Sequence, residues 1–455
     1  MRIRSCLIAV GLATVVSAQE TAPAAPDPSV FAQRRQQLME RLGEGVVLLR
    51  SAPKQASMEQ FYQDHEFYWL TGISEPGTAA LLFPKTGKSV LFVPPYSRFT
   101  ATWDGDRLVP GEESAEQTGF DECVSVRTLR RALRDALAPE GEDAESAPRP
   151  KLWAVLSPSP NRTATSNTAR GAAQAQKADF LDGRPERNEV MSERLEELFG
   201  VKAEDITPFL DLMRGVKDAD EIAQIRAATD AAVQGIAEAM KSAEVGMFEY
   251  QIAAVARYVF SRLGGGPDAY APIVGAGPNG CVLHYSANSR QTVDGDLIVM
   301  DYGPTVHGYA TDVTRTFPAN GKFTAAQRKL VEAVHEVQRL LIAEVRPGAR
   351  LSQLSAMCTR LLAERGYVSI HGPSHHVGLA VHDMGGDRLL PGMVITVEPG
   401  AYLVDEGMGC RIEDTVLVTE DGCENLSGAL PADPDGIEAL MAEKGIAQQA
   451  IGLPR

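Results

Sequence analysis

The sequence predicts an α+β chain of two parts, an N-terminal α/β domain over residues 29–204 and a longer C-terminal domain over residues 205–455. Two patterns predict this division. Short apolar runs of strand length separated by turn residues dominate the first part. Long helical periodicities separated by pairs of strands dominate the second. The 455 residues, 44% of them hydrophobic and 23% charged, are enough for two or three globular domains.

Residues 1–18 are predicted to be an export signal peptide. Arg2 and Arg4 precede an apolar stretch from Cys6 to Val16 that is too short to span a bilayer, and small residues then offer a cleavage site before Gln19. We therefore expect an exported protein, periplasmic or secreted. Its five remaining cysteines are an odd number in an oxidising compartment, so at least one is expected to be unpaired.

The charge balance excludes two classes of partner. The net charge is −16, and no long run of lysine and arginine is present. Such a chain is expected to bind neither nucleic acid nor an anionic membrane surface. No C-x-x-C pair occurs, so the sequence does not suggest a thiolate zinc site.

In the N-terminal domain, four apolar runs predict strands. The "KTG" at 85–87 is predicted to be a hairpin turn, and the polar stretch at 138–150 is predicted to be a solvated loop. The predicted strands are residues 45–50, 79–84, 89–94 and 152–157.

In the C-terminal domain, three segments have apolar residues at helical spacing. They are residues 218–243, 324–345 and 351–366. The sequence "GAGPNG" at 275–280 matches a dinucleotide-binding fingerprint, which must open a helix to hold a pyrophosphate. Pro278 lies inside it and the β-prone "CVLHY" follows, so we interpret it as a glycine turn between strands.

The stretch "DLIVMDYGPTVHGYATDVTRTF" predicts a hairpin that brings two acids together. Residues 296–303 and 309–317 are predicted strands, joined by a turn centred on Val306 and His307. This register pairs Asp301 directly with Asp312, with Cβ atoms about 5 Å apart. Two such carboxylates repel each other unless they share a proton or hold a cation.

A second hairpin repeats the pattern. Residues 393–404 and 409–418 are predicted strands joined at "DEGM". Glu398 follows the apolar run of the first strand, and Glu413 lies within the second. Four carboxylates from two hairpins can hold two divalent ions, with some oxygens bridging them.

Histidines accompany these acids. A single histidine is more often a structural residue than a ligand, but four of the eight in the chain fall between His371 and His382. A fifth, His284, lies in "CVLHYSANS". Imidazoles beside an acidic cluster can bind metal, hydrogen-bond a substrate, or stabilise charge that develops on an oxygen.

With these motifs the chain resembles the creatinase, aminopeptidase P and prolidase family of pita-bread metallopeptidases, in its Xaa-Pro aminopeptidase and prolidase branch. The resemblance covers about residues 30–440. It is carried by "FYQDHEFYWLTGISEPGTA" in the first domain and by "MDYG", "TDVTRTFP", "HGPSHHVGLAVHD", "VEPGAY" and "RIED" in the second. The resemblance implies a creatinase-like N-terminal domain followed by a pita-bread catalytic domain.

The same resemblance implies a role for each matched position. Asp301 would chelate one metal ion, Asp312 and Glu413 would bridge both, and His375 and Glu398 would complete the other. His284, His371 and His382 would surround the substrate as catalytic and substrate-binding residues. Glu398 would also shuttle protons. Two further positions near the site are matched: Tyr402 would bind substrate and Arg411 would be catalytic. His376 matches no ligand and is interpreted as a packed or exposed neighbour. The segment 383–397 is shorter than in many relatives, and Arg388 is a weak candidate for the pocket there.

The implied activity is that of a dinuclear metal-dependent Xaa-Pro aminopeptidase, which hydrolyses the bond between an N-terminal residue and a following proline. The alternatives are a prolidase, which takes only the dipeptide, and a non-catalytic binding protein on the same fold. Four carboxylates and one imidazole favour Mn²⁺, with Co²⁺ or Zn²⁺ as alternatives. We expect peptide substrates with proline at the second position and a homo-oligomer, either dimer or tetramer.

Overall fold

The computed structural model describes residues 24–54, 60–139, 149–158 and 166–449. The predicted signal peptide and most of the predicted loop at 138–150 lie outside the described residues. Within those ranges no helix is both long and apolar enough to cross a membrane. All five described cysteines are unpaired.

The N-terminal part of the chain forms one six-stranded sheet with helices packed on it. The strand order is β4-β3-β2-β1-β5-β6, with β1, β2 and β3 antiparallel and the remaining pairs parallel. Its elements are α1 (Pro28–Leu42), β1 (Val46–Arg50), α2 (His65–Thr71), β2 (Ala79–Phe83), β3 (Lys88–Val93), α3 (Arg98–Asp104), α4 (Glu112–Thr118), β4 (Glu122–Ser125), α5 (Leu129–Ala136), β5 (Leu152–Ala154), α6 (Ser166–Ala178), α7 (Arg187–Phe199) and β6 (Ala203–Asp205).

The rest of the chain contains several small sheets backed by helices. Its elements are α8 (Thr207–Gly215), α9 (Ala219–Ser242), α10 (Glu249–Arg262), β7 (Ile273–Ala276), β8 (Leu297–Asp301), β9 (Thr305–Val306), β10 (Tyr309–Ala310), β11 (Thr314–Pro318), α11 (Ala325–Ile342), α12 (Leu351–Glu364), β12 (Val394–Val397), β13 (Gly400–Leu403), β14 (Met408–Arg411), β15 (Asp414–Val418), β16 (Cys423–Asn425), α13 (Pro434–Met441) and α14 (Ile446–Gln449).

Two apolar layers hold the C-terminal part together. Ile236 of α9 and Ile252 of α10 pack in one buried cluster with Ile298 and Phe317 of the β8–β11 sheet. Leu330 of α11 lies in a second cluster with strands β12 and β14 to β15. Strand β8 contributes Leu297 to the second cluster and Ile298 to the first, so both of its faces are covered by apolar packing.

The three predicted helices are present, and local chemistry explains where they begin. Asp218 caps α9 by accepting from the backbone N–H of Glu221, whose carboxylate accepts from the N–H of Asp218 in return. Thr324 and Gln327 form the same reciprocal cap at α11. These capping boxes satisfy backbone donors that have no partner within the helix.

The glycine motif at 275–280 is only partly as expected. Gly275 and Ala276 belong to β7, and a 3₁₀ turn over Gly277–Cys281 follows, which agrees with a turn. The following "CVLHY" is not a strand, because residues 282–285 continue as a loop. The domain limits at 204 and 205 remain a prediction.

Candidate metal centre

The four acids of the two hairpins lie at one place, because the hairpins meet edge to edge. The backbones of Thr314 and Glu413 exchange hydrogen bonds of 3.4 and 3.1 Å, which join β11 to the segment between β14 and β15. Asp301 ends β8 and Glu398 follows β12. Three of the acids are buried, and Glu398 is half-buried.

The first hairpin differs from the predicted register. Asp301 pairs with Thr314, and Asp312 lies two residues earlier in the returning chain. The turn consists of His307 and Gly308, with φ of 45° and 85°, whereas the prediction centred it on Val306 and His307. A two-residue hairpin turn of this type needs positive φ at both positions, which glycine adopts freely and β-branched valine does not. The prediction of direct pairing was wrong, but an error of two residues keeps both carboxylates on the same face.

The two strands predicted for the second hairpin do pair with each other. Gly400 pairs with Arg411 and Val397 with Asp414, so Glu398 and Glu413 fall opposite each other in the same register. Thr314 donates a hydrogen bond of 2.6 Å to Oε2 of Glu413, and the other oxygen of that carboxylate is buried without a partner. An unpartnered buried carboxylate oxygen is costly unless a cation occupies the space that it faces.

Two of the acids, Asp312 and Glu413, have a raised pKa. Burial, and then the charge of Asp301, raises the pKa of Asp312 well above its ordinary value. Burial, and then the charge of Asp312, does the same to the pKa of Glu413. Negative charge on these buried carboxylates is therefore compensated either by retained protons or by bound cations.

His375 completes the cluster. Its Nε2 lies 3.4 Å from Oδ2 of Asp312 and 3.4 Å from Oε1 of Glu398, and ligand atoms of Asp312, His375 and Glu413 all lie within 4.8 Å of one another. Its Nδ1 donates to the carbonyl of His376 at 3.1 Å. That bond leaves the lone pair of Nε2 directed at the acids, as a metal ligand requires. The donor set therefore fits hard divalent cations.

The three histidines predicted to surround the substrate lie around a cavity of about 340 Å³ beside the acids. The ring of His382 stacks on that of His375 at 3.7 Å, and burial, followed by the charges of His375 and His284, lowers the pKa of His382 to about 3. His284 and His371 also line the cavity. The predicted substrate residues are thus brought together with the predicted ligands.

Arg411 and Tyr402 connect the acids to His371. Arg411 donates to Oδ2 of Asp301 at 2.7 Å and to the Tyr402 hydroxyl at 2.9 Å. The Tyr402 hydroxyl lies 3.0 Å from Nε2 of His371, whose Nδ1 donates to the carbonyl of Gly372. This chain of hydrogen bonds holds the Arg411 guanidinium against a carboxylate of the cluster and orients the imidazole of His371.

Comparison with known proteins places this arrangement in a family. The profile of metallopeptidase family M24 matches residues 223–420, and that of the aminopeptidase P N-terminal domain matches residues 31–143. The Xaa-Pro aminopeptidase of Escherichia coli strain K12 is 33% identical over 456 residues, which cover 90% of this chain and 97% of that protein. The chain belongs to metallopeptidase family M24.

Other relatives of this M24 peptidase include both activities of the branch. The Xaa-Pro dipeptidase of Homo sapiens is 29% identical, over 91% of this chain and 93% of that protein. The structure of zinc-substituted E. coli aminopeptidase P in complex with product has a TM-score of 0.75 at 30% identity, and covers 92% of this chain and 99% of that one. The expected pita-bread family and its two-domain fold class are confirmed.

Two residues of the M24 chain near the motifs lie away from the cavity. His376 is buried and donates from Nε2 to the carbonyl of Gly386 at 3.0 Å, which agrees with its interpretation as a packed neighbour. Arg388 forms a backbone bridge with Arg350 and is exposed. Arg388 is not among the cavity residues, so the expectation that it shapes the pocket is not supported.

Sequence reasoning missed Tyr270 of the M24 chain. Its hydroxyl lies 2.6 Å from Oδ1 of Asp301 and 2.5 Å from Oδ1 of Asp312, between the two acids. Burial, and then the charge of Asp301, raises the pKa of Tyr270 well above its ordinary value, so the hydroxyl keeps its proton as a donor. Tyr270 precedes β7, and no local pattern in "DAYAPIV" signals its contact with residues 31 and 42 positions further on.

Proposed function

We propose that this M24 metallopeptidase is an Xaa-Pro aminopeptidase, which removes an N-terminal residue that precedes proline. The observation that carries the proposal is the convergence of Asp301, Asp312, Glu398, Glu413 and His375 at the wall of a cavity that three further histidines line. The Xaa-Pro aminopeptidases of E. coli and Haemophilus influenzae, at 33% and 31% identity, support the choice of activity. So does the match of residues 31–143 to the N-terminal domain of aminopeptidase P.

The substrate explains why a dedicated site is needed. A proline nitrogen carries no hydrogen, and its ring fixes the backbone, so the X-Pro bond fits poorly into sites that grip an extended peptide by its N–H groups. In the proposed complex the free amino terminus lies at the carboxylates. The proline ring lies towards His284, and His371 and His382 donate hydrogen bonds around the bond that is cleaved.

The proposed cofactor is a pair of divalent ions held by the five ligands. When bound, such ions polarise a carbonyl and lower the pKa of a water to near neutrality. We propose Mn²⁺, because oxygen donors predominate, with Co²⁺ or Zn²⁺ as alternatives. Metal analysis of protein purified from its native cell, rather than after reloading, identifies the ion.

Glu398 is the proposed proton carrier. Its Oε2 lies 3.8 Å from Nδ1 of His371, and its Oε1 accepts from the Thr396 hydroxyl at 3.3 Å. Of the four acids it is the one that is only half-buried. A carboxylate that reaches both the ligand set and the cavity can take a proton from the attacking water and deliver it to the leaving proline nitrogen.

The decisive experiment identifies products. Purified protein with Mn²⁺ is incubated with Gly-Pro, Ala-Pro and a longer peptide with proline second, and products are identified by mass. Release of the first residue from the longer peptide supports the proposal. Cleavage of the dipeptides alone would assign a prolidase instead, and binding without cleavage of any of the three would assign a non-catalytic protein.

Location and assembly are further parts of the proposal. The order of basic, apolar and small residues over 1–18 supports export to the periplasm or the medium. N-terminal sequencing of protein from the native cell is expected to begin near Gln19, and retention of residues 2–18 would contradict export. A homo-oligomer, dimer or tetramer, is expected by light scattering, and a monomer at working concentration would contradict that.

A further inference from the structure

His284 lies on a loop that makes no side-chain hydrogen bond to the four acids of the candidate metal centre within the described residues. The loop runs over residues 277–296, between the end of β7 and the start of β8. His284 is exposed and lines the cavity, and within the described residues its ring makes no hydrogen bond. The position of its imidazole therefore depends on the backbone of the loop.

A single buried carboxylate, that of Glu249, ties this loop together from both sides. Its Oε1 accepts from the backbone N–H of Ala276 at 2.8 Å and from the Asn279 amide at 3.0 Å. Its Oε2 accepts from the Tyr285 hydroxyl at 2.8 Å and from the backbone N–H of Arg290 at 2.8 Å. Two of these donors precede His284 in the chain and two follow it.

The surroundings of Glu249 make this arrangement rigid. Glu249 is completely buried, and it opens α10, where a negative charge is favoured by the helix dipole. Its own N–H donates to the carbonyl of Arg290 at 3.0 Å, and the N–H of Tyr250 donates to that of Asn288 at 2.9 Å. Charged acceptors with four well-directed donors make strong hydrogen bonds in a buried setting.

We propose that Glu249 is a positioning residue for the reaction, holding the loop so that His284 faces the substrate cavity. The inference rests on the proposed function, and on a role for His284 in it. Tyr285 connects Glu249 to His284, since its hydroxyl donates a hydrogen bond to Glu249 and it follows His284 directly in the chain. Glu249 does not line the cavity, and the four hydrogen bonds that its carboxylate accepts involve none of the five proposed metal ligands.

A different role is that Glu249 only stabilises the fold. The loop has other fastenings, because the Asn288 side chain accepts from the N–H of Val274 and donates to the carbonyl of Pro272, and Arg290 pairs with Asp296. If Glu249 were one more such fastening, its loss would lower the melting temperature without acting through His284. The two roles therefore differ in a double-mutant cycle.

The test uses Tyr285→Phe and Glu249→Gln, each alone and combined with His284→Ala, in the Mn²⁺-loaded enzyme. Tyr285→Phe removes one of the four bonds and leaves the charge buried with three donors, so the fold is expected to survive. Glu249→Gln presents an amide N–H₂ to one pair of donors and is expected to be the more damaging. Tyr250→Phe is the matched control, because Tyr250 is an exposed tyrosine at the same end of α10, with 53% of its surface accessible.

We expect Tyr285→Phe to lower kcat/KM for an X-Pro peptide by about three- to tenfold, as loss of one hydrogen bond permits. The metal content of Tyr285→Phe is expected to be unchanged, and so is the activity of the control Tyr250→Phe. In the His284→Ala background, Tyr285→Phe and Glu249→Gln are each expected to change kcat/KM by less than about twofold, because the group that they position is gone.

Three results would overturn the inference. They are an unchanged kcat/KM in Tyr285→Phe, equal losses with and without His284, and full activity of His284→Ala itself. Each is separate from failure of the proposed function, which the product assay on the unmodified enzyme decides. Should Glu249→Gln fail to fold, the cycle built on Tyr285→Phe still gives the answer.

Discussion

At the scale of single residues, the proposed metal ligands and the proposed substrate-binding residues occupy different positions in the site. Asp312 lies 3.4 Å from His375 and shares Tyr270 with Asp301, so it belongs to the ligand cluster. His382 stacks on the proposed ligand His375 and lines the cavity. Substitutions at these two positions are expected to fail in different ways.

Asp312→Asn is expected to abolish activity through loss of metal. An amide offers one neutral oxygen and cannot bridge two ions as a carboxylate does, so metal binding is weakened. Removing one negative charge also relieves repulsion in the buried cluster, so the fold is not weakened. The variant should therefore fold with near-normal stability and contain little metal by elemental analysis. Full metal occupancy in Asp312→Asn would contradict its role as a ligand.

His382→Ala is expected to retain metal and lose turnover. His375 keeps its orientation without the stack, since its backbone N–H donates to Thr396 and its Nδ1 donates to the carbonyl of His376. Losing one group that stabilises the transition state lowers kcat by about 10²–10³-fold in comparable sites. Steady-state kinetics alongside elemental analysis test this, and either full activity or depleted metal would assign His382 a different role.

At the scale of elements, the turn of the first hairpin places the acids. His307 and Gly308 both have positive φ, and the strands on either side of them lead to Asp301 and Asp312. The position of glycine, rather than the apolar pattern, sets this register. The sequence contained that signal, because glycine at the second turn position favours a turn one residue later than the one predicted.

Gly308→Ala is expected to destabilise the protein by about 1–2 kcal/mol, the cost of left-handed backbone for a residue with a Cβ. The added Cβ would lie 3.4 Å from Cδ2 of Leu379 and 3.5 Å from Cε1 of Tyr68, so crowding adds little to that cost. Thermal unfolding measures the change. Gly171→Ala is the matched control: Gly171 lies within α6 with open space around it, and alanine there should raise the melting temperature. Equal shifts in the two variants would show that backbone conformation is not the cause.

At the scale of the whole molecule, buried charges join the N-terminal sheet domain to the site-bearing part. Arg34 of α1 pairs with Asp218 at 2.7 Å, and Trp69 of α2 donates to Glu221 at 2.9 Å. A second group of charges is centred on Arg214, which forms ion pairs with Glu66 at 2.8 Å and with Asp383 at 2.6 Å. Asp383 follows His382 in the chain, so this contact also secures one wall of the cavity.

Arg34→Met is expected to destabilise the protein by about 3–5 kcal/mol, because it leaves the buried carboxylate of Glu221 without its cationic partner. Arg34 is 3% exposed and its charge faces both Asp218 and Glu221. Chemical denaturation measures the loss. Arg226→Met removes a solvent-exposed pair with Glu424, whose side chains are 40% and 46% exposed, and should cost less than about 1 kcal/mol. Similar losses in the two variants would contradict the importance of burial.

The buried His65 predicts a dependence of stability on pH. Burial, and then the charge of Arg214, lowers its pKa to about 3 in the folded protein. The unfolded chain, with an ordinary pKa of about 6.5, therefore binds more protons as pH falls below that value, and stability is lost. His65→Gln removes the titrating imidazole and with it this pH-dependent loss of stability.

We expect the stability of the unmodified protein to fall relative to His65→Gln by about 2 kcal/mol between pH 7 and pH 5, by denaturation at each pH. Above pH 7 the difference between the two proteins should be constant. A difference that does not change between pH 7 and pH 5 would show that His65 titrates normally in the fold.

What the sequence by itself determined were the features that local periodicity encodes. Helical spacing predicted α9 and α11, apolar runs predicted β1 to β3, and sequence motifs identified the acids and histidines that line the cavity. A pattern with a period of two or 3.6 residues specifies an element and the face that it buries, because those properties depend on neighbours in the chain. The face shared by Asp301 and Asp312 was predicted correctly for that reason, although their register was not.

The tertiary structure alone decided which edges and loops meet. Thr314 joins Glu413 across 99 positions, Arg411 joins Asp301 across 110, and Tyr270 lies between two acids that follow it. Glu249 binds a loop from 27 to 41 residues further on. Motifs identified Asp301, Glu413 and Arg411 individually, but no local pattern shows which residue bonds to which, because each bond forms only when separate sheets and helices pack around a common core. The physical reason is that hydrogen-bonding partners in a buried polar site are selected by geometry in space, and local sequence constrains that geometry only through the fold as a whole.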